Sequence, residues 1–264
     1  MNIFKAILVT FLLFIIGLML SLGFQILLNQ FDVNPQYLFH YNAIARILIK
    51  LLQYSIILFL VFKLWFHPTE LLTKIRTTNW ENLLLILIVS IGFEVISQIF
   101  LDLKTFVSSD NPKQYSIYQT AFIAGYGLIY DLIRAVILAP ILEELLFRKV
   151  LFSRLLNKYP FGVSAFISSI CFALIHIPNW FNLLPTFIFG IICCLIYTKT
   201  KNIIYPILLH FTGNLIVFIS SIYNRQFFGL IDELNYNWFY WIILIFGISM
   251  TIFGVRRISQ VSPT

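Results

Sequence analysis

Three short polar clusters interrupt an otherwise apolar sequence, and the first of them pairs two acids with a base. It contains Glu143, Glu144 and Arg148. On a helix, Glu144 and Arg148 share a face and can form an ion pair, whereas Glu143 points about 100° away. The spacing therefore predicts one compensated carboxylate and one free carboxylate. The free one, Glu143, has the chemistry of a general base acting on water.

The other two clusters each place a histidine four residues from a second side chain. Phe172 shares a helix face with His176, and His210 shares one with Asn214. Simpler interpretations exist for each cluster: a solvated ion pair at a helix end, an interfacial histidine, or a polar pair that joins two helices. The presence of all three in one chain favours a shared polar cavity in which an acid and two imidazoles meet.

The composition indicates which elements position these clusters. Hydrophobic residues make up 60% of the 264 residues and charged residues only 11%, against about 25% charged in soluble domains. A transmembrane helix needs about 20 apolar residues. Suitable apolar runs lie at about 6–28, 44–66, 82–102, 117–142, 162–177, 181–198, 203–223 and 237–255. We therefore predict an all-α, polytopic membrane protein, with about eight transmembrane helices enclosing a polar intramembrane cavity, as a single membrane domain over 1–264.

The fourth apolar run is unusual because it contains a proline and then continues. Helix-like sequence extends past Pro140 to about Asn157. An interior proline removes a backbone hydrogen bond and clashes with the preceding turn. A kinked helix is expected here.

The basic residues indicate topology. The net charge of +7 could suggest nucleic acid, but Lys and Arg stand singly or in pairs beside apolar runs, so no nucleic-acid partner is expected. Most of them fall on connections that would share a side with the amino terminus. The opposite side would hold Lys104, Lys113 and Arg225, with Arg46 and Lys50 at the outer start of the second span. Since cytoplasmic connections accumulate Lys and Arg, we predict a multi-pass protein of the cell membrane with both termini cytoplasmic.

Three further ionisable residues lie within the apolar runs and leave another function open. Asp131 and Arg134 are three residues apart and can neutralise each other. Glu94 has no local partner and could line the cavity, bind a cation or pair with Arg134 across helices. Charged groups at membrane depth default to functional candidates, so an ion-coupled transporter is one alternative.

Taken in order, the three clusters resemble the CPBP family of intramembrane proteases. This family includes the type II CAAX prenyl endopeptidases and bacterial relatives linked to peptide processing and to bacteriocin self-immunity (Abi proteins). Its pattern is Glu-Glu-x-x-x-Arg, then Phe-x-x-x-His, then His-x-x-x-Asn or Asp. The matching residues are Glu143, Glu144, Arg148, Phe172, His176, His210 and Asn214. The resemblance covers about 117–220, the motif-bearing protease core, and departs from the family at Lys149, where a small residue is common.

The resemblance implies a role for each matching residue. Glu143 would activate water with help from His176, while His210 and Asn214 would bind the carbonyl oxygen as it becomes an oxyanion. Glu144, Arg148 and Phe172 would support them. No cofactor is expected, although zinc held by Glu143, His176 and His210 is an alternative. The ligands would come from three helices, without the compact His-Glu-x-x-His arrangement, which favours metal-independent catalysis.

The expected function is therefore that of an intramembrane endopeptidase acting on a membrane-associated peptide or protein within the lipid bilayer. Frequent Ile, Phe and Asn suggest a bacterium with an AT-rich genome. In that setting the resemblance implies processing of a leader or pheromone peptide, or self-immunity. The second alternative is a noncatalytic membrane scaffold or immunity protein, whose effect would survive Glu143→Ala.

Overall fold

The computed structural model of the chain describes residues 1–31, 34–65, 78–107, 125–177, 182–223, 233–234 and 236–258. These ranges contain helices and no strand, which confirms the predicted all-α class. Eight long helical stretches occur within them: α1 (Ile3–Gln30), α2 (Pro35–Trp65), α3 (Trp80–Val107), α4 (125–156), α5 (Phe161–Leu174), α6 (Leu183–Thr200), α7 (Ile204–Ile222) and α8 (Trp238–Ile258).

Six of these helices are long and apolar enough to cross a membrane: α1, α2, α3, α6, α7 and α8. The chain is therefore a multi-pass membrane protein. Helix α5 has only 14 residues, and the start of the predicted fourth span, 117–124, lies outside the described residues, so eight spans remain a prediction. The same is true of the orientation of the termini, because Lys113 and Arg225 also lie outside the described residues.

Helix α2 begins earlier than the apolar pattern predicts. Its first residue is Pro35, a residue favoured in the first turn of a helix. Arg46 and Lys50 therefore lie well inside the helix. Their place at the outer start of the membrane span stays a prediction, because a helix of 31 residues is longer than the apolar core of a bilayer requires. Polar residues in the first turns, such as His40 and Asn42, hide the helix start from a search for apolar runs.

Helix α4 alternates between α-helical and π-helical segments. The π segments are Leu132–Leu138 and Leu145–Phe152, and Pro140 follows the first of them. The Ala139 N–H bonds to the Arg134 carbonyl, five residues back. In the same register the partner of residue 140 would be the Ala135 carbonyl, but proline has no N–H. That carbonyl instead accepts a hydrogen bond from Asn214 Nδ2 at 2.8 Å, so a neighbouring helix satisfies the group that Pro140 leaves free.

The helices that carry the three polar clusters, α4, α5 and α7, share one buried apolar core with α1, α2, α3 and α6. Helix α5 packs against α6, α1 against α2, and α3 against α7 and α8. The α3–α8 contact is close because Gly92 faces Gly247: a Cβ on Gly92 would lie 2.7 Å from the Gly247 carbonyl oxygen. Small residues allow such close approach between membrane helices.

Gly92→Ala is expected to destabilise the protein by about 1–3 kcal/mol, because the added methyl group overpacks the contact and must push α3 away from α8. Thermal unfolding of the purified protein in detergent measures the change. Gly23→Ala is the matched control, since no atom lies within 4 Å of a Cβ at that position. Equal unfolding midpoints for the two variants would contradict the close packing.

Candidate active site

The paired glutamates project from α4 into the protein interior, where both are buried. Glu144 Oε2 lies 3.0 Å from Arg148 Nε, so the ion pair expected from their spacing is present. The Arg148 guanidinium lies over the Phe172 ring, 4.2 Å from its centroid. Neither Glu144 nor Arg148 has any exposed surface. Their charges are therefore fixed in place by each other and by an aromatic ring of α5.

His210 connects the two glutamates. It lies on α7, and its Nδ1 is 2.9 Å from Glu144 Oε1. An ionised carboxylate only accepts hydrogen bonds, so Nδ1 donates. The other ring nitrogen, Nε2, lies 3.9 Å from Glu143 Oε2. With the proton on Nδ1, a neutral His210 presents a lone pair at Nε2, and it can donate from Nε2 only as an imidazolium.

His176 approaches the same carboxylate from the turn that follows α5. Its Nδ1 lies 2.9 Å from the Phe172 carbonyl oxygen and donates to it. Its Nε2 lies 4.0 Å from Glu143 Oε2. Both imidazoles thus turn the same nitrogen towards one oxygen atom. The structure brings Glu143, His176 and His210 together, from α4, the turn after α5, and α7.

Glu143 also has a partner that the sequence pattern did not reveal. Lys50 Nζ, on α2, lies 2.7 Å from Glu143 Oε1. The prediction of an uncompensated Glu143 is therefore wrong, because spacing within one helix shows only the partners on that helix. The available signal was a lysine inside an apolar run, which is a functional candidate in itself. Among the described residues, Glu143 Oε2 has no hydrogen-bond partner. One oxygen of the carboxylate is therefore bound, and the other faces the two imidazoles without a hydrogen bond.

Asn214 lies on the same helix as His210 but bonds to the backbone of α4. Its Nδ2 donates to the Ala135 carbonyl, as described above. A side-chain amide carries two N–H donors, and this bond uses one of them. Asn214 therefore joins α7 to α4 through this hydrogen bond. Its second N–H donor remains for a ligand.

The permanent charges around Glu143 and Glu144, here called the buried centre, sum to zero. Two carboxylates, Glu143 and Glu144, meet two cations, Lys50 and Arg148. With neutral imidazoles the net charge is zero. Two imidazole lone pairs and a carboxylate are suitable zinc ligands by type. However, two ligand atoms that each lie about 2.0–2.2 Å from one zinc ion are only about 3.3 Å apart. Glu143 Oε2 lies 4.0 Å from His176 Nε2 and 3.9 Å from His210 Nε2.

No group of three or more His, Cys, Asp or Glu within the described part of the chain has the geometry of a metal site. The Lys50 ammonium beside Glu143 also opposes a divalent cation by charge repulsion. The donor types therefore suit zinc, whereas their spacing and the local charge do not fit it.

The remaining intramembrane charges have other neighbours. Arg134 Nη2 bonds to Asp131 Oδ1 at 2.9 Å, in a pair that is about half exposed. Glu94 is buried on α3 and hydrogen bonds with the Gln98 side chain one turn later. It faces Gly213 of α7, where a Cβ would lie 3.1 Å from Glu94 Oε1. Arg134 is therefore committed to Asp131, and the cross-helix pair with Glu94 is not formed.

Fold and site together define a multi-pass membrane protein with a buried centre of two carboxylates, two imidazoles and two cations. Residues 125–216 match the family model described as Type II CAAX prenyl endopeptidase Rce1-like. The match is to a family of the kind that the motifs resemble, so the resemblance drawn from them is confirmed. The match includes every motif residue from Glu143 to Asn214. Lys50 lies outside it.

Three relatives align with part of the chain. The "Membrane-embedded CAAX protease MroQ" of Staphylococcus aureus is 36% identical over 97 residues, covering 34% of this chain and 38% of MroQ. YdiL of Bacillus subtilis, a candidate membrane peptidase by its name, is 36% identical over 102 residues, covering 36% and 41%. The UPF0177 protein YxdF of Lactococcus lactis is 39% identical over 79 residues, covering 30% and 43%. The alignments span about two fifths of each relative, and no solved structure matches the chain.

Proposed function

We propose that the protein is an intramembrane endopeptidase that hydrolyses a peptide bond of a membrane-associated substrate with water activated at Glu143. The observation that supports this most directly is the arrangement around Glu143 Oε2. It is buried, lacks a hydrogen-bond partner among the described residues, and faces two imidazole Nε2 atoms at 3.9 and 4.0 Å. The match of residues 125–216 to a family model of endopeptidases supports the same chemistry.

The separations of Glu143 Oε2 from the two Nε2 atoms exceed a direct hydrogen bond. The oxygen therefore keeps its capacity to accept from a water molecule that enters with the substrate. Glu143, assisted by His176, takes one proton from this water while its oxygen attacks the substrate carbonyl carbon. The C–N bond then breaks, and the same proton passes to the leaving amine. The hydroxyl ends on the new carboxyl group, so one water is consumed per bond cut and no acyl-enzyme is formed.

When water attacks the carbonyl carbon, the carbonyl oxygen becomes negatively charged and is stabilised by hydrogen-bond donors. We assign this role to His210 and to the second N–H of Asn214. His210 would act as an imidazolium, because its Nδ1 proton is held by Glu144. A buried carboxylate that is fixed by Arg148 stabilises that cation. Preoriented donors of this kind supply a large part of the catalytic effect in acyl-transfer sites.

We propose catalysis without a metal, which the Lys50 ammonium beside Glu143 supports, and chelation tests it. Cleavage by purified protein is expected to stay within about twofold of its starting rate after incubation with a strong chelator, because Lys50 already supplies the positive charge beside Glu143. A zinc-dependent membrane protease measured in parallel is the control for effective chelation. Activity that is lost on chelation and restored by zinc would refute the metal-independent assignment.

We propose a bacterial leader peptide, a pheromone precursor or a segment of a membrane protein as the substrate, as the sequence resemblance implies. Comparing the peptides released by cells that carry the wild-type or the His176→Ala protein tests the function. At least one peptide is expected to disappear with His176→Ala. His40→Ala is the matched control, since His40 contacts Tyr130 instead. Identical peptide sets, at equal protein levels in the membrane, would contradict proteolysis.

A further inference from the structure

Helix α2 supplies a group to the centre although it lies outside the segment that matches the protease family. Lys50 reaches Glu143 Oε1 from this helix, across 93 positions of sequence. Its side chain is 20% exposed, whereas that of Glu143 is 4% exposed. The ammonium therefore covers one oxygen of the carboxylate, while part of the lysine side chain stays exposed.

The contact determines how the carboxylate is oriented. A carboxylate whose Oε1 is held at 2.7 Å by an ammonium cannot rotate freely about its last bond, so Oε2 stays aimed at the imidazoles. Without Lys50, the centre would contain two adjacent carboxylates and one fixed cation. Glu143 would then turn to the nearest remaining donor, an imidazolium of His210. That movement would occupy Oε2, the oxygen that is to accept a hydrogen bond from the attacking water.

The position of Lys50 differs from that of an ordinary membrane lysine. Lysines in membrane helices commonly extend towards the headgroups, as exposed Lys63 can at the end of the same helix, beside the Phe59 ring. Lys50 lies in the interior of α2 and instead turns to a buried acid. The ring of buried Tyr54, one turn later, lies 5.8 Å from its ammonium. The contact is therefore packed on more than one side.

We propose that Lys50 is a positioning residue for the hydrolytic reaction, acting through Glu143: it binds Oε1 and thereby holds Oε2 towards the attacking water. This inference rests on the proposed function. It makes α2 part of the catalytic architecture, so the active protein needs residues beyond the motif-bearing segment.

Three variants of the full-length protein test the proposal. Lys50→Met keeps a long side chain without its charge, and its kcat is expected to fall about 100-fold with KM nearly unchanged, as for a misplaced catalytic group. Lys50→Arg, which keeps the charge, is expected to recover part of that loss. Lys63→Met is the matched control on the same helix and is expected to cleave at the wild-type rate.

A double-variant cycle separates positioning from a merely structural effect. If Lys50 acts through Glu143, adding Lys50→Met to Glu143→Gln will lower the residual activity no further. Independent losses that multiply would overturn the proposal, and so would wild-type kcat in Lys50→Met. The two assignments fail differently: an inactive Glu143→Gln beside a fully active Lys50→Met refutes only the positioning role, whereas an active Glu143→Gln refutes the proposed function. If Lys50→Met does not fold, the kcat of Lys50→Arg relative to the wild type decides. A kcat equal to that of the wild type would mean that the charge only stabilises the fold, whereas a kcat below it is expected if Lys50 positions Glu143.

Discussion

Glu143→Gln is expected to abolish peptide cleavage, by at least about 1,000-fold, while the protein still inserts into the membrane and folds. Glutamine has nearly the same shape and still offers an oxygen to Lys50, so the packing of the centre is retained. What is lost is the negatively charged oxygen that, in the proposed reaction, takes a proton from water. General acid–base groups raise reaction rates by about 10²–10⁴-fold. Within the described residues, Glu143 is the one glutamate of the pair whose free oxygen faces both imidazoles.

The measurement uses purified protein in lipid nanodiscs and a peptide identified from the released set. Asp131→Asn makes the same acid-to-amide change at a half-exposed ion pair with Arg134 and is expected to retain activity. Thermal unfolding of both variants checks that each is folded. If Glu143→Gln protein cuts the peptide at the normal rate, Glu143 is not the base.

Arg148→Met is expected to cause the largest loss of stability. Arg148 has no exposed surface, pairs with Glu144 at 3.0 Å and lies over the Phe172 ring. Removing it leaves a buried carboxylate without its cation. Breaking a buried pair from one side costs about 3–5 kcal/mol, which is a large share of the stability of a typical domain.

Thermal unfolding in detergent and the amount of protein recovered from the membrane measure this loss. Lys158→Met, at an exposed position shortly after the same helix, is the control and is expected to have little effect. The double variant Glu144→Gln/Arg148→Met is expected to recover part of the loss. It removes both charges and keeps an oxygen that can accept from His210 Nδ1. A single variant as stable as the wild type would contradict the buried pair.

Local spacing in the sequence was sufficient where both partners lie on one helix. The four-residue interval predicted that Glu144 and Arg148 would pair, because side chains four apart share a helix face. The three-residue interval likewise predicted the Asp131–Arg134 pair. Apolar run lengths located most of the long helices, although the polar first turns of α2 hid its start.

Contacts between helices were beyond such reasoning. The ordered motifs indicated that Glu143 and the two histidines would meet, but nothing in the spacing showed which nitrogen each ring presents or that both face Oε2. The same limit applies to Asn214. Its bond to the Ala135 carbonyl depends on the π register around Pro140, which exists only in the folded helix.

The sequence by itself thus determined the class of protein, the residue types of the site and the pairs that lie on a single helix. Only the tertiary structure decided that Lys50 compensates Glu143 and that Glu144 joins Arg148 to His210. The physical reason is that sequence spacing relates only residues that are close along one helix. Helical periodicity relates residues within one or two turns, whereas the charge state of a buried acid depends on whichever cation the packing of another helix brings to it.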